Sequence, residues 1–117
     1  MINYNNSFTG LNVKYYEQFF LSEEKLEKEV DYVKMLFDRH SGALPDNDRT
    51  LLDIGCGTGA HVDKFSQSYN RICAVDMSQD MIAYAKAHHA KQNIKYLCKD
   101  VSANLDNNKI GEVFSNA

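Results

Sequence analysis

Apolar positions repeat with two different periods along this chain, and the change of period marks its organisation. After Ser22, the residues Leu26, Val30, Val33 and Phe37 fall at intervals of four, three and four, the spacing of one helix face turned to a core. Ser22 suits an N-cap, and Glu23 and Glu24 suit a first turn. Gly42 followed by Pro45 predicts an end near His40 and a turn over 45–48. Beyond that, short apolar runs alternate with helical ones. Residues 50–54 read as a strand, and 60–68 as a helix with Val62 and Phe65 inward. Residues 71–75 read as a second strand. Ser78 caps a helix running to about His89, with Asp80 in its first turn and Met81, Ile82 and Ala85 on its buried face. Residues 94–98 make a third strand, 101–109 a polar loop, and 112–115 the start of a fourth strand.

Strand and helix alternating at this spacing predict an α/β fold: a parallel sheet with flanking helices and right-handed crossovers. The first twenty residues differ, being rich in Asn, Tyr and Phe. With Tyr15, Tyr16, Phe19 and Phe20, they are too apolar for a loose tail and are expected to pack on the domain, over a pocket mouth. The chain thus divides into an aromatic segment with a cap helix, 1–48, and an α/β core, 49–117. The core ends where its fourth strand has scarcely finished, with nothing left to cover that strand's outer edge. This leads us to expect the front half of a longer protein, able to self-associate through the uncovered edge.

A length of 117 residues suits one domain. Net charge is −3, without a Lys/Arg cluster, which argues against a nucleic acid or membrane surface as partner. No apolar run approaches a membrane span, and residues 1–10 lack the plan of a signal peptide, so the cytoplasm is the expected location. Cys56, Cys73 and Cys98 lie far apart in or beside apolar segments. They read as small buried residues in a reducing compartment, and no metal site is expected.

The candidate chemistry begins at Leu51-Leu-Asp-Ile-Gly-Cys-Gly-Thr-Gly59. A strand, a glycine-rich turn and a helix start make a site for a small polar ligand, because glycine takes positive φ and a helix start offers N–H groups. In a parallel sheet the carboxyl ends of all strands share one edge, where open α/β sheets bind ligands. Asp53, Asp76 and Asp100 therefore converge with the glycine loop. Asp76 follows Gly55 by 21 residues, near the spacing at which an acid takes a ribose diol. The loop can be fitted to G-x-G-x-x-[G/A], the dinucleotide fingerprint, but Asp53 would repel a pyrophosphate and welcome a cationic ligand. S-adenosylmethionine, with its ammonium and sulfonium, is such a ligand.

These segments resemble the class I S-adenosylmethionine-dependent methyltransferases. Residues 51–59 resemble the family's glycine-rich motif, and Ala74-Val-Asp-Met-Ser-Gln-Asp-Met81 its ribose-binding strand end and following helix. Tyr96-Leu-Cys-Lys-Asp-Val101 is similar to the adenine-side segment, and Val113-Phe-Ser-Asn-Ala117 to the start of the motif closing the methionine end. The resemblance implies a Rossmann-like sheet of about seven strands, of which this chain supplies four in the order 3-2-1-4. It implies S-adenosyl-L-methionine as cofactor and methyl transfer to an acceptor, which the aromatic N-terminus suggests is a small molecule. Asp53 and the backbone of Gly55 and Cys56 would hold the methionine ammonium, while Gly57 and Gly59 let the loop close. Asp76 would take the ribose hydroxyls and Met77 the adenine face. Asp100 and the Val101 N–H would meet the adenine edge. Ser115 or Asn116 would border the methionine end, and Tyr16 would lie over the cofactor.

No residue identifies itself as a general base. His88 and His89 read as solvent-facing helix-end residues that favour the dipole, His40 likewise, and His61 as a helix-surface residue. Two other functions fit the same pattern less fully: an NAD-type dinucleotide oxidoreductase, and a non-catalytic binding domain that kept the fold.

Overall fold

The N-terminal caps are where sequence and local structure meet most directly. In the computed structural model, which describes residues 11–40 and 49–102, the Ser22 hydroxyl accepts the Lys25 N–H at 3.2 Å and opens helix α2, Glu23–His40. The Ser78 hydroxyl accepts the Met81 N–H at 3.2 Å and opens α4, Gln79–His88. Both expected caps are present. The remaining elements are α1, Leu11–Phe20, β1, Thr50–Ile54, α3, Ala60–Phe65, β2, Arg71–Asp76, and β3, Ile94–Cys98. The turn expected over 45–48, the fourth strand, and the candidates Ser115 and Asn116 lie outside the described residues.

The three strands are parallel in the order β1-β2-β3, the 3-2-1 part of the expected order and a Rossmann-like arrangement. Register pairs Asp53 with Ala74 and Asp76 with Cys98, so the carboxyl ends line one rim. The period of two in β2 sorts its side chains between two cores. Ile72 and Ala74 join Val30, Val62, Phe65, Tyr69, Ile82, Ala85 and Tyr96 on the helical side. Cys73 and Val75 join Leu52, Leu97 and Val101 on the other face.

Four details depart from the sequence reading. Residues 11–20 form a helix, whose Val13 is 1% exposed. Helix α3 stops at Phe65, because Gln67 and Ser68 donate to carbonyls three residues back and the Ser66 hydroxyl donates to the Asp63 carbonyl at 2.6 Å, which tightens the last turn. Phe37 is 41% exposed, at the end of a stripe whose Leu26 and Val30 are buried. Cys98 is exposed, whereas Cys56 and Cys73 are buried. No described helix is long and apolar enough to cross a membrane.

Candidate functional site

The chain leaves β1 through three glycines at positive φ: Gly55 at 83°, Gly57 at 58° and Gly59 at 86°. The Gly55 and Cys56 N–H groups both donate to the Val75 carbonyl, at 2.7 and 3.0 Å, which pins the turn to the end of β2. At Gly59 space matters as much as φ. A Cβ there would stand 2.8 Å from the Tyr96 hydroxyl and 3.0 Å from the Ala85 Cβ. Tyr96 is itself fixed, donating to the His89 carbonyl at 2.8 Å. Gly59 then caps α3 in the left-handed conformation.

Asp76 organises the rim from β2. Its Oδ2 accepts the Gly57 N–H at 3.0 Å, and its Oδ1 accepts the Ser78 N–H at 2.9 Å. One carboxylate thereby joins the glycine turn to the start of α4. Each oxygen keeps lone-pair capacity for a further donor. Met77 follows with its side chain 74% exposed, an apolar surface beside that carboxylate. On the next strand, Lys99 donates to the Asp76 carbonyl at 3.0 Å through its backbone.

Asp53 is half-buried at the end of β1. Burial pushes its carboxyl above the ordinary 3.8, the His61 ring acts in the opposite sense, and the Asp76 charge adds to the rise. The Cys56 thiol is pushed up to about 12, first by burial and then by the Asp53 and Asp76 charges. It is therefore a packing group and no nucleophile. A cavity of about 310 Å³ runs from Val33 and Phe37 on α2 to Asp53, Gly55, Cys56 and His61. Its lining offers apolar walls and a carboxylate that gains from a cation, an arrangement that fits an ammonium and disfavours a pyrophosphate.

Asp100 is exposed, and its Oδ1 accepts the Ser102 N–H at 3.0 Å, a bond that holds its carboxyl below the ordinary 3.8. Val101 is buried in the second core. Tyr16 is half-buried on α1, whose main neighbour is α4. His40 and His88 are exposed helix-end residues as expected. His61 is half-buried, its Nε2 lying 2.6 Å from Glu29 on α2.

His89 corrects the sequence reading. Helical phase put it toward solvent, yet its side chain is 16% exposed, between Glu17 and Asp63. The residue has φ −131° and ψ 31°, so it has left the helical screw, and its ring turns back under α1. Its place was illegible because it depends on where α4 ends and on a helix, α1, without a clear period. The acid partners were visible only as isolated letters.

Residues 51–116 match the model of a family described as a methyltransferase domain. A malonyl-[acyl-carrier protein] O-methyltransferase of Acetivibrio thermocellus is 35% identical over 71 residues, 57% of this chain and 24% of that protein. The chain spans about a quarter or less of the curated relatives it matches. Among solved structures, a sugar N-methyltransferase from Streptoalloteichus is 26% identical with a TM-score of 0.55, over 74% of this chain and 33% of that one. A S-adenosylmethionine-dependent methyltransferase from Clostridium acetobutylicum gives a TM-score of 0.59 at 24% identity, over 86% of this chain and 38% of that one; this likeness speaks for the fold.

Proposed function

This chain belongs to the methyltransferase-domain family, and from that premise we propose that its rim binds S-adenosyl-L-methionine for methyl transfer to a small-molecule acceptor. The observation that carries the reading is Asp76, which joins the Gly57 N–H and the Ser78 N–H and so fixes a ribose-competent carboxylate against the glycine turn. S-adenosylmethionine supplies a methyl carbon already activated by its sulfonium. What remains for the protein is position and electrostatics. Asp53, held in a half-buried place where a cation relieves it, faces the ammonium beside the Gly55 and Cys56 backbone. Gly57 and Gly59 keep the turn free of side chains where the ligand approaches. Asp76 accepts from the ribose hydroxyls, and Met77 covers the adenine. Asp100 and the Val101 N–H take the adenine edge, Ser115 or Asn116 borders the methionine end, and Tyr16 covers the site.

Support for a small-molecule acceptor comes from the relatives, whose names include a sugar N-methyltransferase and an O-methyltransferase acting on a malonyl group carried by a protein. The division into a cover, 1–48, and a cofactor-binding core, 49–117, belongs to the same proposal, as does self-association through the outer edge of the expected fourth strand. A dinucleotide function is not favoured, since Asp53 stands where a pyrophosphate would need to approach.

Isothermal titration of the chain with S-adenosylhomocysteine tests the reading. We expect one site per chain, weakened about tenfold or more in Asp76→Asn, and no comparable binding of NAD. Folded protein that binds neither, or that prefers NAD, overturns it.

A further inference from the structure

We propose that His89 is a proton-dependent clamp that docks α1 onto α3 and α4. Its Nε2 lies 2.5 Å from Glu17 Oε1 on α1, and its Nδ1 lies 2.7 Å from Asp63 Oδ2 on α3. A neutral imidazole carries one N–H and one lone pair. With a carboxylate against each nitrogen, a neutral ring must set its lone pair against one of them. Two ring protons satisfy both contacts as charge-assisted hydrogen bonds. The three side chains are 16%, 17% and 27% exposed for His89, Glu17 and Asp63, so water can replace a lost bond only in part.

The surroundings fix the ring without supplying the second proton. The other Glu17 oxygen, Oε2, accepts the Tyr84 hydroxyl at 2.5 Å. That hydroxyl is a bound donor whose own ionisation is pushed up to about 12, by burial and then by Glu17. His88 stacks on Tyr84 with ring centres 4.2 Å apart. Lys91 Nζ stands 3.7 Å from Asp63 Oδ1. On the side of α2, Glu23 pairs with Lys64 at 2.5 Å, and Glu27 lies 4.0 Å from the same ammonium. Glu17, Glu23, Asp63, Lys64 and His89 line one cavity of about 300 Å³. From β3, Tyr96 donates to the His89 carbonyl, which holds the backbone and leaves the ring's charge to the two acids. Glu17 therefore ties α1 to α4 through two bonds, one of which depends on a ring proton.

The clamped form holds the second ring proton and the undocked form does not need it, so docking is complete at mildly acidic pH and is lost as pH rises.

Hydrogen exchange of α1, compared between the full chain and Glu17→Gln at each pH from about 5.5 to about 8.5, tests it. In the variant, the amide oxygen can accept from Tyr84 while the amide N–H donates to a neutral ring, so one ring proton suffices. We expect α1 protection in the wild type to fall by about fivefold or more relative to Glu17→Gln across that range, with the ratio for β2 unchanged. Asp63→Asn, which relieves the second proton from the other side, should flatten the profile likewise. Parallel profiles in wild type and both variants overturn the clamp. So does NMR of the ring nitrogens showing a singly protonated His89 while α1 is fully protected.

Discussion

The Gly57 N–H donates to Asp76 Oδ2 across 3.0 Å and nineteen residues of chain. The same carboxylate takes the Ser78 N–H, so the acid that we assign to the ribose also supports the unliganded fold. Asp76→Ala should lower stability without any ligand by about 1–2 kcal/mol, since two N–H donors lose a charged acceptor in a part-buried place. Urea unfolding of both proteins at neutral pH measures this. An unchanged midpoint would show that water replaces the carboxylate at no cost.

Gly59 and Gly55 share nearly the same φ, 86° and 83°, and differ in their surroundings. A Cβ on Gly55 meets nothing within 4 Å, whereas one on Gly59 meets the Tyr96 hydroxyl at 2.8 Å and Ala85 at 3.0 Å. Gly55→Ala should cost only the left-handed backbone term, about 1–2 kcal/mol. Gly59→Ala should cost a further ~1–3 kcal/mol for overpacking. Adding Tyr96→Phe removes the nearest clashing atom and should recover part of the excess. Denaturant midpoints of the three variants decide it, and equal losses for the two glycines would mean that the Tyr96 contact yields freely.

These contacts also show where the sequence was legible. The bounds of β1 and β3 followed from short apolar runs, and the caps Ser22 and Ser78 from their position before helical periods. That Gly55, Gly57 and Gly59 turn the chain at the rim was readable from type and spacing. Why Gly59 must lack a side chain was not, because the obstacle is Tyr96, brought in by β3 across the sheet. Cys98 misled because an apolar run such as β3 does not say which face is covered. The helix α1 escaped notice since its Asn, Tyr and Phe residues make no clean apolar stripe, and with it went the partner of His89.

The cysteines should separate by reactivity. Cys98 is exposed, with its Sγ 3.6 Å from the Met77 carbonyl at the rim. Cys73 is buried and its thiol is raised by that burial. Cys56 is raised to about 12. Because the thiolate is the reactive form, limited alkylation of folded protein near neutral pH should label Cys98 first, and Cys56 and Cys73 only on unfolding. Peptide mass spectrometry reads the order. Early labelling of Cys56 would mean that the glycine turn opens far more often than its two bonds to Val75 allow.

Asp53 sets stability against binding. Its carboxyl is raised above 3.8, chiefly by burial, so the folded state binds a proton more tightly there than the unfolded chain does. Over the interval between the two values the native state carries more protons, and stability therefore falls as pH rises through it. At neutral pH the ionised group opposes folding. Asp53→Asn removes that charge while keeping the shape, and should raise the unfolding midpoint at pH 7 while giving no such gain near pH 3, where both forms are neutral. The same substitution removes the anion that we assign to the ammonium, so affinity for S-adenosylhomocysteine should drop as stability rises. Opposite shifts in the two measurements are the expected outcome. A variant that loses stability at pH 7 would show that the Asp53 carboxylate is held by favourable contacts, and that its place at the end of β1 is structural.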